Sequence, residues 1–165
     1  RSAAVDGKPF DYRVAMKGGE AIGFVAVGSA AGYSSVLRVM VGVDRARQSA
    51  ERDGRPCALS LTAEGWRAPA GSVLPPCRAA GLALAEPLSR TEIQLSTNLP
   101  ESLRFSLNGL VLDGGLVVLS SPGSSHRRCV VISLPLGVTR EGLYGQDPIT
   151  RLSSGLCRPL PGAPA

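Results

Sequence analysis

Between residues 35 and 53 the apolar positions recur at helical spacing. Val36, Leu37, Met40, Val43, Ala46 and Ala50 fall near i, i+3/i+4, i+7 and make one stripe. Arg38, Asp44, Arg45, Arg47, Gln48 and Glu51 fill the opposite side, which should be solvated. The pattern predicts one amphipathic helix. Ser34 or Ser35 supplies a starting cap, and Gly54 followed by Arg55-Pro56 supplies a stop. Gly42 inside the helix costs about 1 kcal/mol relative to Ala.

After Pro56 the pattern changes to short strands. Cys57-Ala-Leu-Ser-Leu61 alternates and runs into a turn at Ala63-Glu-Gly65, with Trp66 following. Residues 68–81 are rich in Pro, Gly and Ala and read as loop. Gly81-Leu-Ala-Leu-Ala85, Glu92-Ile-Gln-Leu-Ser96 and Ser102-Leu-Arg-Phe-Ser-Leu107 read as strands, the last half-buried. Asn108-Gly109 is a hairpin signal. Leu110-Val-Leu112, Leu116-Val-Val-Leu119 and Arg128-Cys-Val-Val-Ile-Ser-Leu134 follow as strands, and Gly137-Val-Thr-Arg-Glu141 closes the series. One amphipathic N-terminal helix packed on antiparallel, hairpin-linked β-sheet is an α+β fold.

Two flanks differ from this block. Residues 1–34 contain both lysines and many glycines, with one apolar run, Ile22-Gly-Phe-Val-Ala-Val27, that suits a single buried strand. They form an atypical N-terminal segment before a domain over 35–145. From 146 to 165 Pro and Ser dominate, so this stretch reads as a C-terminal tail pinned by Cys157 and frayed over 159–165.

With 165 residues and 44% apolar positions, the chain has enough material for one core. Gly 20 and Pro 13 together make a fifth of the chain, against a usual ~12%, which favours short elements and turns over a helical bundle. No stretch reaches the ~18 apolar residues of a membrane span, so a transmembrane anchor is not expected within this chain. The net charge of +5 comes from scattered arginines, with only Arg127-Arg128 and the Arg38/Arg45/Arg47 group clustered. Aromatic residues are 4%, too few for a base-stacking surface.

Cys57, Cys77, Cys129 and Cys157 are spaced by 20, 52 and 28 residues. The absence of a CxxC pair disfavours a zinc ribbon or a thioredoxin-like site. An even count at wide spacing in a Gly/Pro-rich domain suits an oxidising compartment. Of three pairings, Cys57–Cys77 and Cys129–Cys157 each close a modest local loop. The alternative is four buried thiols.

Chemistry has few candidates. His126, the only histidine, lies in the polar run Ser124-Ser-His-Arg-Arg128 with no carboxylate near in sequence to orient it. A hydrolase or ligand-binding domain would need a serine with His126, or a cleft under the loop 68–81. The glycines at 23, 28 and 32 match neither a dinucleotide fingerprint nor a P-loop. No cofactor, metal, catalytic set or small-molecule substrate is expected.

From the helix onward the chain resembles the GspH/FimT family of type IV pilin-like proteins, the minor pilins and pseudopilins. The blocks carrying the resemblance are Arg45-Ala-Arg-Gln-Ser-Ala50, Gly54-Arg-Pro56, Cys57-Ala-Leu-Ser-Leu61 and Glu64-Gly-Trp66. They continue as Leu103-Arg-Phe-Ser-Leu-Asn-Gly109, Gly115-Leu-Val-Val-Leu119, Cys129-Val-Val-Ile-Ser133 and Leu136-Gly-Val-Thr-Arg140. The Ser120-Ser-Pro-Gly123 loop and the Arg127-Arg-Cys-Val-Val131 run are similar to cyanobacterial members. The match covers about residues 36–145. Family members begin with a Phe-Thr-Leu-x-Glu apolar helix, which residues 1–34 do not supply.

The resemblance implies a non-enzymatic subunit of a type IV pilus or type II secretion pseudopilus, at the inner membrane, in the periplasm or on an extracellular filament. Its partners would be other pilin-like subunits, met through Val36, Leu37, Met40 and Val43. By analogy with minor pilins of DNA-uptake systems, Arg127, Arg128 and Arg140 are candidate DNA or anion contacts.

Overall fold

Helix α1 spans Ala30–Asp53, starting earlier than the apolar stripe predicts. Ser35 is therefore not a cap. It is buried within the helix, and its hydroxyl donates to the Leu84 carbonyl at 2.9 Å. The C-terminus follows its sequence signal. Gly54 sits at φ 58°, the Arg55 N–H reaches the Ala50 carbonyl and the Gly54 N–H reaches that of Glu51. Both are bonds of a Schellman cap, which needs a left-handed residue here.

The computed structural model describes residues 2–5, 8–17, 20–26, 30–85, 92–122, 124–148 and 150–161, with side chains from Ser34 onward. Strands β1 (Ser2–Val5), β2 (Lys8–Lys17) and β3 (Glu20–Ala26) pair in order as an antiparallel sheet. The expected strand over 22–27 overlaps β3, but its burial lies outside the described side chains. Of the frayed end expected over 159–165, residues 162–165 lie outside the described residues as well.

Two antiparallel sheets follow the helix. Strands β4 (Cys57–Thr62), β5 (Gly65–Arg67) and β7 (Leu103–Phe105) form one, in the order β5-β4-β7. The other takes the order β11-β10-β9-β8-β6. It contains β6 (Gln94–Thr97), β8 (Gly115–Ser120), β9 (Arg128–Ser133), β10 (Val138–Tyr144) and β11 (Cys157–Pro159). α1 packs on both sheets and touches β4, β5, β7, β8 and β9. The result is the α+β arrangement that the pattern predicts.

Strand alternation explains the two cores. Val117, Leu119, Val130 and Ile132 point to one face and meet Val36, Val39, Val43, Ala46 and Ala50 of the helix. Leu116, Val118, Cys129 and Val131 point to the other face and meet Tyr144 and Cys157. A central strand covered on both faces reads as a continuous apolar run, which is what β8 and β9 show.

Two expected strands are absent. Residues 81–85 and 110–112 make only isolated bridges, Ala83 to Gly65 and Val111 to Phe105. Their apolar residues plug the core instead, with Leu84 and Val111 almost fully buried. The backbone of 81–85 runs beside the helix start, where the Leu84 and Ala83 carbonyls accept from Ser35 and Arg38. Conversely, residues 157–159, read as tail, are ordered as β11 beside β10.

Candidate functional site

The cysteines come together in two pairs. Cys57 and Cys77 are bonded, with Cα atoms 5.0 Å apart, and Cys129 and Cys157 are bonded with Cα atoms 5.9 Å apart. The first bond pins the Pro-rich loop to β4, where the Ala58 carbonyl accepts from the Cys77 N–H. The second ties β11 to β9 across β10. Tyr144 adds to that tether, a contact the sequence reading missed. Its hydroxyl donates to the Arg151 carbonyl at 2.6 Å and accepts from the Ser153 N–H at 3.1 Å. A buried Tyr directed at a polar tail was the available signal, since a buried phenol must find a partner.

His126 lies exposed in the loop between β8 and β9. Its Nδ1 is 3.2 Å from the Ser125 hydroxyl, its chain neighbour. His126 lines neither the groove at the end of α1 nor the one beside its Leu37–Arg47 stretch. The loop 68–81 does border a shallow groove of about 400 Å³ with the end of α1, lined by Ser49, Asp53, Arg55 and Arg78 among others. Arg78 and Asp53 pair across it at 2.7 Å. Among the described residues, no group of three or more His, Cys, Asp or Glu side chains is placed to hold a metal.

The three candidate anion contacts do not share a face. Arg128 pairs with Leu119 and Leu143 and so lies on the helix side of the sheet. Arg140 pairs with Val131 and lies on the other side. Arg140 donates to the Cys157 carbonyl at 2.7 Å and Arg127 to that of Gln146 at 3.2 Å.

The helix residues proposed to meet partners divide similarly. Val36 and Val43 are at most 1% exposed, inside the domain's own core, so in this fold no partner can reach them. Leu37 is 41% exposed and Val41, unmarked in the sequence reading, 39%. The period of 3.6 explains the division: a stripe wide enough to hold all six predicted positions exceeds what one sheet face covers. Leu37, Met40 and Val41 line a groove of about 460 Å³, whose opposite wall is Gly137, Val138 and Thr139 at the start of β10. Gly137 adopts φ 68° and lies against Val111 and the Arg47 stem. A side chain there would be strained and crowded. Val138, which lines this groove, is more than half exposed, as are Leu134 and Leu136 of the β9–β10 turn. Isolated exposed apolar residues are ordinary, whereas a contiguous patch marks an interaction surface.

Among the described residues, no helix is long and apolar enough to cross a membrane. Residues 36–136 match the family of type II transport protein GspH. No curated protein and no solved structure matches the chain significantly.

Proposed function

The chain belongs to the family of the type II transport protein GspH, and from that premise we propose that it is a non-enzymatic minor subunit of a pseudopilus or type IV pilus at the cell envelope. The GspH match is the observation that carries this reading. It spans α1 through the β9–β10 turn, the same stretch that folds here as one helix on two antiparallel sheets. The geometry supports it in a second way. α1 buries one flank against its own β domain and leaves Leu37, Met40 and Val41 beside an open groove, as a helix that must also pack against neighbours requires. The two disulfides suit assembly in an oxidising compartment.

The test is shearing of surface filaments from the source cells, followed by detection of this chain in the filament and envelope fractions. Recovery with other pilin-like subunits, together with loss of piliation or secretion when the chain is deleted, is the expected result. A chain confined to the cytoplasm and unassociated with such components would overturn the proposal.

A further inference from the structure

The turn at Asn108-Gly109, between β7 and β8, carries a chemistry that the fold does not need. The chain has two asparagines. Asn98 is followed by Leu99, and its Oδ1 accepts from the Leu116 N–H at 2.7 Å. Asn108 is exposed, and its side-chain amide is bonded to none of the described residues. It is followed by Gly109, which has no Cβ to block approach to its backbone nitrogen.

These two residues form a reacting pair. The Gly109 nitrogen, once its proton passes to base, attacks Asn108 Cγ and closes a five-membered succinimide. The Cγ–Nδ2 bond breaks, and the nitrogen keeps the electron pair and leaves as ammonia. Water then adds to the ring. Opening at Cγ leaves aspartate. Opening at the backbone carbonyl leaves isoaspartate, whose main chain runs through Cβ. The sum is an amide plus water giving an acid plus ammonia. Asp53-Gly54 and Asp113-Gly114 close the same ring only by losing water from a carboxyl, and arginines engage both carboxylates, Arg78 at 2.7 Å and Arg104 at 2.9 Å.

The turn sets both the pace and the consequence. The Gly109 N–H donates to the Ser106 carbonyl at 2.9 Å, so the nitrogen can attack only when that bond opens. Gly109 also joins the hairpin to α1. Its carbonyl accepts from Arg47 Nε at 2.9 Å, and the Glu51 side chain lies directly against it. Isoaspartate at 108 lengthens the main chain by one atom just before that carbonyl. Either product adds a negative charge one residue from the Glu51 contact.

We propose that Asn108 is a site of spontaneous deamidation in the folded chain, and that its isoaspartyl product loosens the hairpin from α1. The inference is independent of the subunit reading.

The full disulfide-bonded chain can be held in mildly alkaline buffer beside a sample kept in guanidinium chloride, and both digested with trypsin at intervals. Asn108 is the one asparagine of the peptide Phe105–Arg127. This peptide should pass from the amide mass to the acid mass, more slowly in the folded chain than in the denatured one. Part of the product should be labelled by an isoaspartyl methyltransferase. Asn108→Gln should remove the conversion, because the ring would then need six members. The isoaspartyl chain, separated chromatographically, should melt below Asn108→Asp, which carries the same charge on an ordinary backbone. An amide that persists in the folded chain while the denatured chain converts would overturn the modification, as would conversion at Asn98 in its place. An isoaspartyl chain that melts together with Asn108→Asp would overturn the loosening of the hairpin.

Discussion

Gly42 and Trp66 show two local rules giving opposite answers about one atom. Helix propensity alone favours Ala at position 42 by about 1 kcal/mol. The structure lays the Trp66 indole directly on Gly42, so a Cβ there would collide with the ring. Trp66 is fully buried, and its Nε1–H donates to the Arg38 carbonyl at 3.3 Å, so the ring cannot swing away without losing that bond. Overpacking costs about 1–3 kcal/mol and outweighs the propensity gain. Gly42→Ala should therefore lower stability by about 1–2 kcal/mol, read as a lower urea midpoint at unchanged m-value. Asp113 makes a different kind of prediction. It accepts two bonds from the Arg104 guanidinium and one from the Arg104 backbone N–H. The side-chain bond from Arg104 is the main cause holding its carboxyl below the ordinary value, and burial opposes it. A depressed folded-state pKa contributes stability that is full above the unfolded value of about 3.9 and is lost as pH falls through the folded one. Thermal melts of Asp113→Asn should thus lie below wild type near neutrality and converge with it in strong acid.

The C-terminal segment shows what single elements depend on. β11 has three residues and one neighbouring strand, too little to order it alone against about 1–2 kcal/mol of backbone entropy per residue. The Cys129–Cys157 bond and the Tyr144 hydroxyl supply the rest. Loop-closure entropy gives a 28-residue link roughly 3.5 kcal/mol. Removing it by Cys157→Ser should expose residues 145–161 to proteolysis. Tyr144→Phe leaves the Arg151 carbonyl and the Ser153 N–H without this partner, at about 1–3 kcal/mol. Hydrogen exchange there should quicken while α1 and β8 stay protected. The contrast with β8 and β9 shows where sequence reading succeeds. Their apolar runs reflect burial on both faces, a local consequence of the fold. The helix stop at Gly54 and the turn at Asn108-Gly109 are likewise local chemistry. Leu84 and Val111 were misread because an apolar plug and a buried strand leave the same short pattern; only a non-local partner, here α1 or Phe105, separates them. The groove was half legible. Periodicity exposed Leu37 and Met40, but Val41 gains its meaning from the start of strand β10, about a hundred residues away in sequence.

At the scale of the whole molecule, α1 has one flank buried in the domain's own core and one left open, and each flank makes a separate prediction. Val36 faces the domain's own core together with Val39 and Val43. Val36→Asp would bury a carboxylate among apolar side chains, at a cost of several kcal/mol. Native proteins hold only about 5–15 kcal/mol in total, so this variant should be largely unfolded or degraded. Val41 stands one turn away on the open side, where a carboxylate remains hydrated. Val41→Asp should therefore keep the wild-type melting temperature to within the roughly 0.5 kcal/mol usual for surface changes, and both disulfides should still form. What it removes is apolar contact. Burying a Val side chain is worth about 1.5–3 kcal/mol, so assembly of the chain with other pilin-like subunits should weaken by about tenfold or more. The decisive comparison is soluble, disulfide-bonded Val41→Asp protein that fails to enter sheared filaments, beside Val36→Asp protein that fails to accumulate at all. Normal incorporation of Val41→Asp would show that neighbours grip this subunit elsewhere, and that the patch from Leu37 to Val138 is not its assembly face.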